Sequence, residues 1–336
     1  MSTELDDALE FVNQAEKYKQ KDYKELPKDE ASPVTVNDGD CVTPGQVSQY
    51  ALYAEGYTAT TPTVKTLPPN CYDIVQDNKC IFVAPSLPRS GLLLELPEMR
   101  SNDVISVIEN FWNSEDDYKN GNEFVIGGAR FSCGVFIFGP PGSGKSCTIQ
   151  ICNKKLIERK GTIFYASGHP GTVTSFLTDF AKIEQERKSI VILEDIDSLI
   201  EKYRESAYLE MLDSAKTINN VCFIATTNYP ERLDPRIWNR PGRFSHVIKI
   251  GLPGEKAREA YLKAILKNHR DVSEIVEKSS GFTIDHLTAL INGVYREKKN
   301  LNTEIKRLRT LFKMPQANDK QPIGIHATEW EKNEGL

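Results

Sequence analysis

The sequence predicts an α/β fold: a parallel sheet with helices on both faces, followed by a small all-helical domain and preceded by an irregular N-terminal region with some β structure. Three observations carry this prediction. Four short apolar runs, 135–138 (VFIF), 162–166 (TIFYA), 190–193 (IVIL) and 221–225 (VCFIA), lack the in-and-out alternation of a strand with one wet face. Longer segments with helical periodicity separate them, as crossovers between parallel strands require. After Pro253 the pattern turns helical and stays so to about Met314. The expected division is an N-terminal region over 1–100, an α/β domain over 101–252, a helical lid over 253–314 and a flexible tail over 315–336.

Taken in order, residues 1–24 read as a charged amphipathic helix, with Leu5, Ala8, Leu9, Val12 and Ala15 near helical spacing. The arm over 1–40 is locally acidic, and residues 1–100 as a whole are expected to recruit the partner. Pro27, Pro33, Gly39, Pro44 and Gly45 punctuate a linker. The tyrosine-bearing piece QVSQYALYAEGY follows, with no chemistry assigned to it. CYDIVQDNKCIFV reads as a hairpin turning at Asp77-Asn78, and GLLLEL as a further strand. From Ser101 or Asn102, either able to cap, a helix places Val104, Val107, Ile108, Phe111 and Trp112 on one face, and Gly121 ends it.

Composition narrows the function classes. Lys plus Arg number 42 against 47 Asp plus Glu, a formal charge of −5, which weighs against a nucleic-acid partner held by bulk electrostatics. The 7 cysteines are odd in number and form no CxxC pair, which fits a reducing compartment better than a disulfide framework or a zinc site. The start, MSTELDDALE, lacks the apolar core of a signal peptide. No apolar run approaches the roughly 20 residues that span a bilayer. A cytoplasmic chain with no membrane partner is the expectation.

The strongest chemical signal is Gly139-Pro140-Pro141-Gly142-Ser143-Gly144-Lys145-Ser146, set between the strand VFIF and a helix opening at Cys147. It fits the phosphate-loop pattern GxxxxGK[ST]. Glycines let successive backbone N–H groups turn inward where a side chain would collide with phosphate. The helix adds the positive end of its dipole. Lys145 can reach the β- and γ-phosphates, and the Ser146 hydroxyl can ligate Mg²⁺. Such a loop needs carboxylates for the metal shell and for water, and Glu194-Asp195-Ile-Asp197 supplies them where the strand IVIL emerges. The strand VCFIA runs into Thr226, Thr227 and Asn228, and Asn228 can orient water or a γ-phosphate oxygen. Arg240 and Arg243 flank Pro-Gly on a rigid turn and point outward; in isolation such arginines are most often merely solvated.

These four elements, in this order, resemble the AAA clade of the AAA+ ATPases, within the P-loop NTPase fold. GPPGSGKS is similar to Walker A, ILEDID to Walker B, ATTN to sensor 1 and NRPGRF to the arginine-finger segment. The resemblance covers roughly 101–312. It implies ATP with Mg²⁺, a helical AAA+ lid from Pro253, and sites between subunits of a homo-oligomeric ring, most often a hexamer. Arg240 and Arg243 would then reach the neighbour's ATP. Three departures stand out. Walker B ends Glu194-Asp195 instead of Asp-Glu. Adjacent strand residues point to opposite sides, so the order of roles is kept, with Glu194 in the Mg²⁺ shell and Asp195 activating water. Thr283-Ile284-Asp285 replaces the usual Gly-Ala-Asp of the lid. No aromatic pore loop follows TIFYA, which leaves His169 and Phe176 as candidates to grip a polypeptide. The expected function is an ATP-driven remodeller of a protein or protein complex. A nucleic-acid-directed ATPase is the alternative, its support being the basic helix over 296–313 (Arg296, Lys298, Lys299, Lys306, Arg307, Arg309, Lys313). A nucleotide-dependent scaffold with slow hydrolysis is a third.

Overall fold

The computed structural model describes residues 34–36, 40–42, 49–53, 56–60, 64–77, 80–86, 92–113, 132–215, 218–239, 243–267 and 272–313. The helix expected over 1–24 and the tail over 315–336 lie outside them. The chain divides into two compact units, Met1–Thr66 and Leu67–Leu336. In the first, β1 (Val34–Val36) pairs antiparallel with β2 (Asp40–Val42), and β3 (Gln49–Tyr53) with β4 (Gly56–Thr60). The tyrosine-bearing piece is therefore part of a β-ribbon.

The second unit is built on a seven-stranded sheet in the order β11-β7-β10-β9-β8-β5-β6. Its strands are β5 (Cys71–Asp77), β6 (Cys80–Pro85), β7 (Ser132–Phe138), β8 (Thr162–Tyr165), β9 (Ser189–Leu193), β10 (Val221–Thr227) and β11 (His246–Lys249). All neighbours are parallel except β6, which returns antiparallel along β5. The four predicted apolar runs become β7 to β10, and β8, β9 and β10 are buried along their whole length. Only strands covered on both faces can carry such runs.

The predicted hairpin forms, but the boundary at residue 101 does not hold. β5 pairs in parallel with β8, Cys71 against Ile163 and Tyr72 against Phe164, so residues 71–85 complete the main sheet. The described part of GLLLEL, residues 92–96, makes no strand. Residues 92–96 run without regular structure, while Leu93 and Leu94 pack on the core and Leu96 is buried. The next helix, α1 (Ser101–Asn113), buries Val104, Ile105, Ile108 and Trp112. The expected end at Gly121 lies outside the described residues.

Pleating sends alternate side chains into two layers. Val135, Ile137, Ile190, Ile192, Cys222 and Ile224 pack with α1 and with α2 (Lys145–Glu158). Phe136, Val191, Leu193, Phe223 and Ala225 pack on the opposite side with α3 (Pro170–Ile183), α4 (Ile196–Tyr203), α5 (Glu205–Ala215) and the short α6 (Pro235–Trp238). The C-terminal helices are α7 (Glu255–Leu266), α8 (Val272–Lys278), α9 (Ile284–Ile291) and α10 (Leu301–Lys313), a wholly helical run as the sequence predicts. Their buried residues continue the layer that holds α2. No described helix is long and apolar enough to cross a membrane.

Candidate functional site

The phosphate-loop sequence forms the link between β7 and α2, at the carboxyl edge of the sheet. Gly139 is required by close approach, since a Cβ there would lie 2.0 Å from the Ile250 carbonyl oxygen. Gly142 has φ +73° and faces Asp285, whose Oδ2 would stand 2.8 Å from an added Cβ. Gly144, with φ 100°, is the N-cap of α2, and no side chain caps the helix. No atom lies within 4 Å of where its Cβ would be. The first turn of α2 thus begins with no side chain capping its N–H groups, an arrangement suited to an anion. Ser143 is fully buried, and its Oγ has no hydrogen-bond partner. The Cys147 thiol turns away to the Leu92 carbonyl, 3.9 Å distant, so that residue offers the loop only its backbone. The Ser146 side chain stands exposed at the start of the helix. An orphaned hydroxyl, an uncapped helix and a glycine cradle together fit a phosphate group.

Lys145 is only 7% exposed. Its Nζ donates to the Gly139 carbonyl (2.8 Å), the Pro140 carbonyl (3.0 Å) and Asn228 Oδ1 (2.5 Å). Burial lowers its pKa to about 8, against the pull of Asp195, Asp285 and Asp197, whose carboxylates favour the charged form. The lysine and Asn228, separated by 83 residues in sequence, are thus brought into contact.

The acidic pair sits differently from the pleat-based expectation. β9 ends at Leu193, and Glu194 and Asp195 occupy the turn beyond it. Asp195 has φ 48° and ψ 54°, so the alternation of strand side chains does not reach it. Its N–H donates to Thr226 Oγ1 at 3.2 Å, which holds the left-handed backbone, and its carboxylate is exposed. Glu194 is half-buried, directly after Leu193 at the end of the strand. Asp197, in the first turn of α4, is buried and accepts from the Thr227 hydroxyl at 2.6 Å.

Arg243 does not point outward. Its side chain is 3% exposed, and its guanidinium forms a fork on Asp213 of α5, Nε to Oδ1 at 3.0 Å and Nη2 to Oδ2 at 2.7 Å. Nη1 donates to the Arg236 carbonyl at 2.6 Å. Once desolvated, this planar group is held by a bidentate partner in its own chain. Arg240 lies outside the described residues. Phe176 is likewise withdrawn from the surface role considered for it. Its ring packs edge-on against Phe164 (5.0 Å) and stacks on Phe180 (6.1 Å). His169 is exposed and caps α3, its Nδ1 accepting from the Gly171 N–H at 3.1 Å. Its ring meets Tyr203 edge-on at 5.5 Å.

The lid touches the loop directly. Ile284 N–H donates to the Gly142 carbonyl at 3.0 Å, at the start of α9, which Thr283 caps. On α10 and the segment before it, part of the basic character is spent locally. Arg307 pairs with the buried Glu304, Lys299 with Glu297 (2.5 Å), and Arg309 donates to the Lys278 carbonyl (2.9 Å). Sequence reasoning missed Asp213 and the roles of Asp285, Thr226, Thr227 and Asp197. The third acid of Glu194-Asp195-Ile-Asp197 and the doubled threonine before Asn228 were the available signals. Asp213 had none.

Residues 135–252 match the family model described as "ATPase family associated with various cellular activities (AAA)". The chain is 27% identical over 277 residues to Protein SAV of Sulfolobus acidocaldarius, across 73% of this chain and 34% of that protein. It is 30% identical over 211 residues to the ATP-dependent zinc metalloprotease FtsH of Mycoplasmopsis synoviae, across 55% and 31%. It is 28% identical over 180 residues to the Cell division cycle protein 48 homolog of Archaeoglobus fulgidus, across 47% and 24%. The chain therefore spans about a third or less of the length of these relatives.

Proposed function

Because this chain carries an AAA-family ATPase domain, we propose that it hydrolyses ATP between subunits of a homo-oligomeric ring, six in the commonest arrangement, to remodel a protein or protein complex. The observation that carries the reading is convergence. Lys145, Asn228 and the Glu194-Asp195 turn meet at the carboxyl ends of β7, β10 and β9, three adjacent strands, beside an uncapped helix start. In this reading the backbone of Gly139 to Cys147 cradles the phosphates. Lys145 exchanges its carbonyl partners for phosphate oxygens, and Asn228 orients the γ-phosphate or the attacking water. Asp195 takes the proton from that water. Ser146 and Glu194 would hold Mg²⁺, which would supply positive charge to offset that of the phosphates. Among the described residues no cluster of three or more His, Cys, Asp or Glu could hold a metal ion.

Steady-state ATPase assays on the full chain, with DNA, RNA and unfolded protein as stimulants, test the reading. Stimulation by polypeptide supports a protein target, whereas stimulation by nucleic acid alone would redirect it. Asp195→Asn is expected to bind ATP, fail to turn it over and hold the ring assembled. Should Glu194→Gln trap ATP while Asp195→Asn abolishes Mg²⁺ dependence, the two roles are reversed.

With Arg243 engaged by Asp213, Arg240 is the residue we assign to the neighbour's site. An arginine supplied across an interface is worth ~10³–10⁵ in rate. Mixing Arg240→Ala subunits with Asp195→Asn subunits should then restore part of the lost activity, since each supplies what the other lacks. A rate that never exceeds the sum of the two parents, after exchange is confirmed by fluorescence, would place the arginine in cis or outside the reaction.

A further inference from the structure

Two neighbouring threonines end β10, and each grips the acidic turn from a different face of the sheet. Thr226 follows Cys222 and Ile224 in the pleat, on the side of α2. Its Oγ1 accepts the Asp195 N–H at 3.2 Å. Thr227 follows Phe223 and Ala225, on the side of α4 and α5. Its hydroxyl donates to Asp197 Oδ1 at 2.6 Å and accepts from the Tyr229 N–H at 2.9 Å. Asn228 lies between the last two and holds Lys145 through its Oδ1 at 2.5 Å. A hydrogen-bonded path therefore runs from α4, through both ends of the Thr227-Asn228-Tyr229 turn, to the phosphate loop.

The energetic setting gives this path weight. Thr227 is fully buried and Asp197 nearly so. A carboxylate removed from water is costly and is kept only where its hydrogen bonds repay it. Asp195 holds a left-handed backbone at φ 48°, which costs an aspartate about 1 kcal/mol or more unless the surroundings over-determine it.

We infer that Asp197 and Thr227 are positioning residues for hydrolysis: their buried hydrogen bond sets the separation of the water-activating turn, bearing Asp195, from Asn228 and Lys145. The inference rests on the ATPase reading above. It assigns these residues to turnover and leaves nucleotide binding to the loop. Thr227→Val keeps the shape of the side chain and removes the hydroxyl, while Thr227→Ser keeps the hydroxyl. Displacing a reacting group by about 1 Å costs about 10²-fold in rate.

The test compares kcat, KM, ATP Kd and Tm for the full chain and its variants. Thr227→Val is expected to lose about 10²-fold in kcat while ATP Kd stays within about threefold. Thr227→Ser should recover most of that loss. If Thr227→Val does not fold, Asp197→Asn, which weakens the bond without changing its size, should lower kcat at unchanged Kd. Unchanged kcat in a folded Thr227→Val or Asp197→Asn chain overturns the inference, as does a Thr227→Ser chain no faster than Thr227→Val. So does a loss of kcat matched by an equal loss of ATP affinity. A wild-type chain that binds ATP and never hydrolyses it fails the ATPase reading first, and the inference with it.

Discussion

Lys145→Ala should abolish detectable ATP binding. The ammonium is the cation buried at the loop, and it reaches three oxygen acceptors within 3.0 Å. Phosphate oxygens replace neutral carbonyls with charged partners, and a charge-assisted hydrogen bond contributes about 1.5–3 kcal/mol. The loss of two such bonds lowers affinity by roughly 10²–10⁴-fold. Isothermal calorimetry with ATP and Mg²⁺ measures it directly. Affinity retained within about twofold would remove Lys145 from the role assigned to it. Circular dichroism on the same sample separates this from unfolding, since the variant also leaves Asn228 Oδ1 without the lysine.

Asp213→Ala should be the more damaging half of the Asp213–Arg243 pair, although aspartate is the smaller side chain. Arg243 is 3% exposed and Asp213 39%, so removing the carboxylate strands a buried guanidinium, whereas removing the arginine leaves a carboxylate with access to water. Breaking a buried ion pair from the buried side costs about 3–5 kcal/mol. The partial exposure of Asp213 draws the value to the lower end. For a domain of this size that corresponds to a fall in Tm on the order of 10 °C. Arg243→Leu should fall less, and the double variant Asp213→Ala with Arg243→Leu should be more stable than Asp213→Ala alone. Differential scanning calorimetry decides it. A larger loss from Arg243→Leu than from Asp213→Ala would mean that the arginine acts mainly through packing and the Arg236 carbonyl.

What the sequence made legible was local. A continuous apolar run can be only a strand wetted on neither face, and the glycine spacing of 139–144 needs no distant partner to be read. Long-range pairing was not legible. Cys71-Tyr72 and Ile163-Phe164 are separate runs until the sheet puts them side by side, so the hairpin at 71–85 read as part of another domain. Arg243 looked like a surface residue because its partner lies 30 positions away on a different element. The Glu194-Asp195 argument failed for a backbone reason. It assumed that the pleat continues, and the chain leaves the strand at Leu193. Leu92 to Leu94 misled in the opposite sense, since an apolar run can coat a core without joining a ladder.

The hairpin at 71–85 also fixes where this protein can be cut. A fragment beginning at Ser101, where the sequence changes character, would strip β5 from β8 and uncover the backbone donors and acceptors of Thr162–Tyr165. Phe164 would lose the ring of Tyr72, 6.3 Å away across that seam. A bare, flat, apolar strand edge recruits other copies of itself. Such a fragment should precipitate or form ladders of aggregates during expression, while one beginning at Leu67 keeps the edge closed. Limited proteolysis of the intact chain should accordingly leave residues 71–85 attached to the larger product.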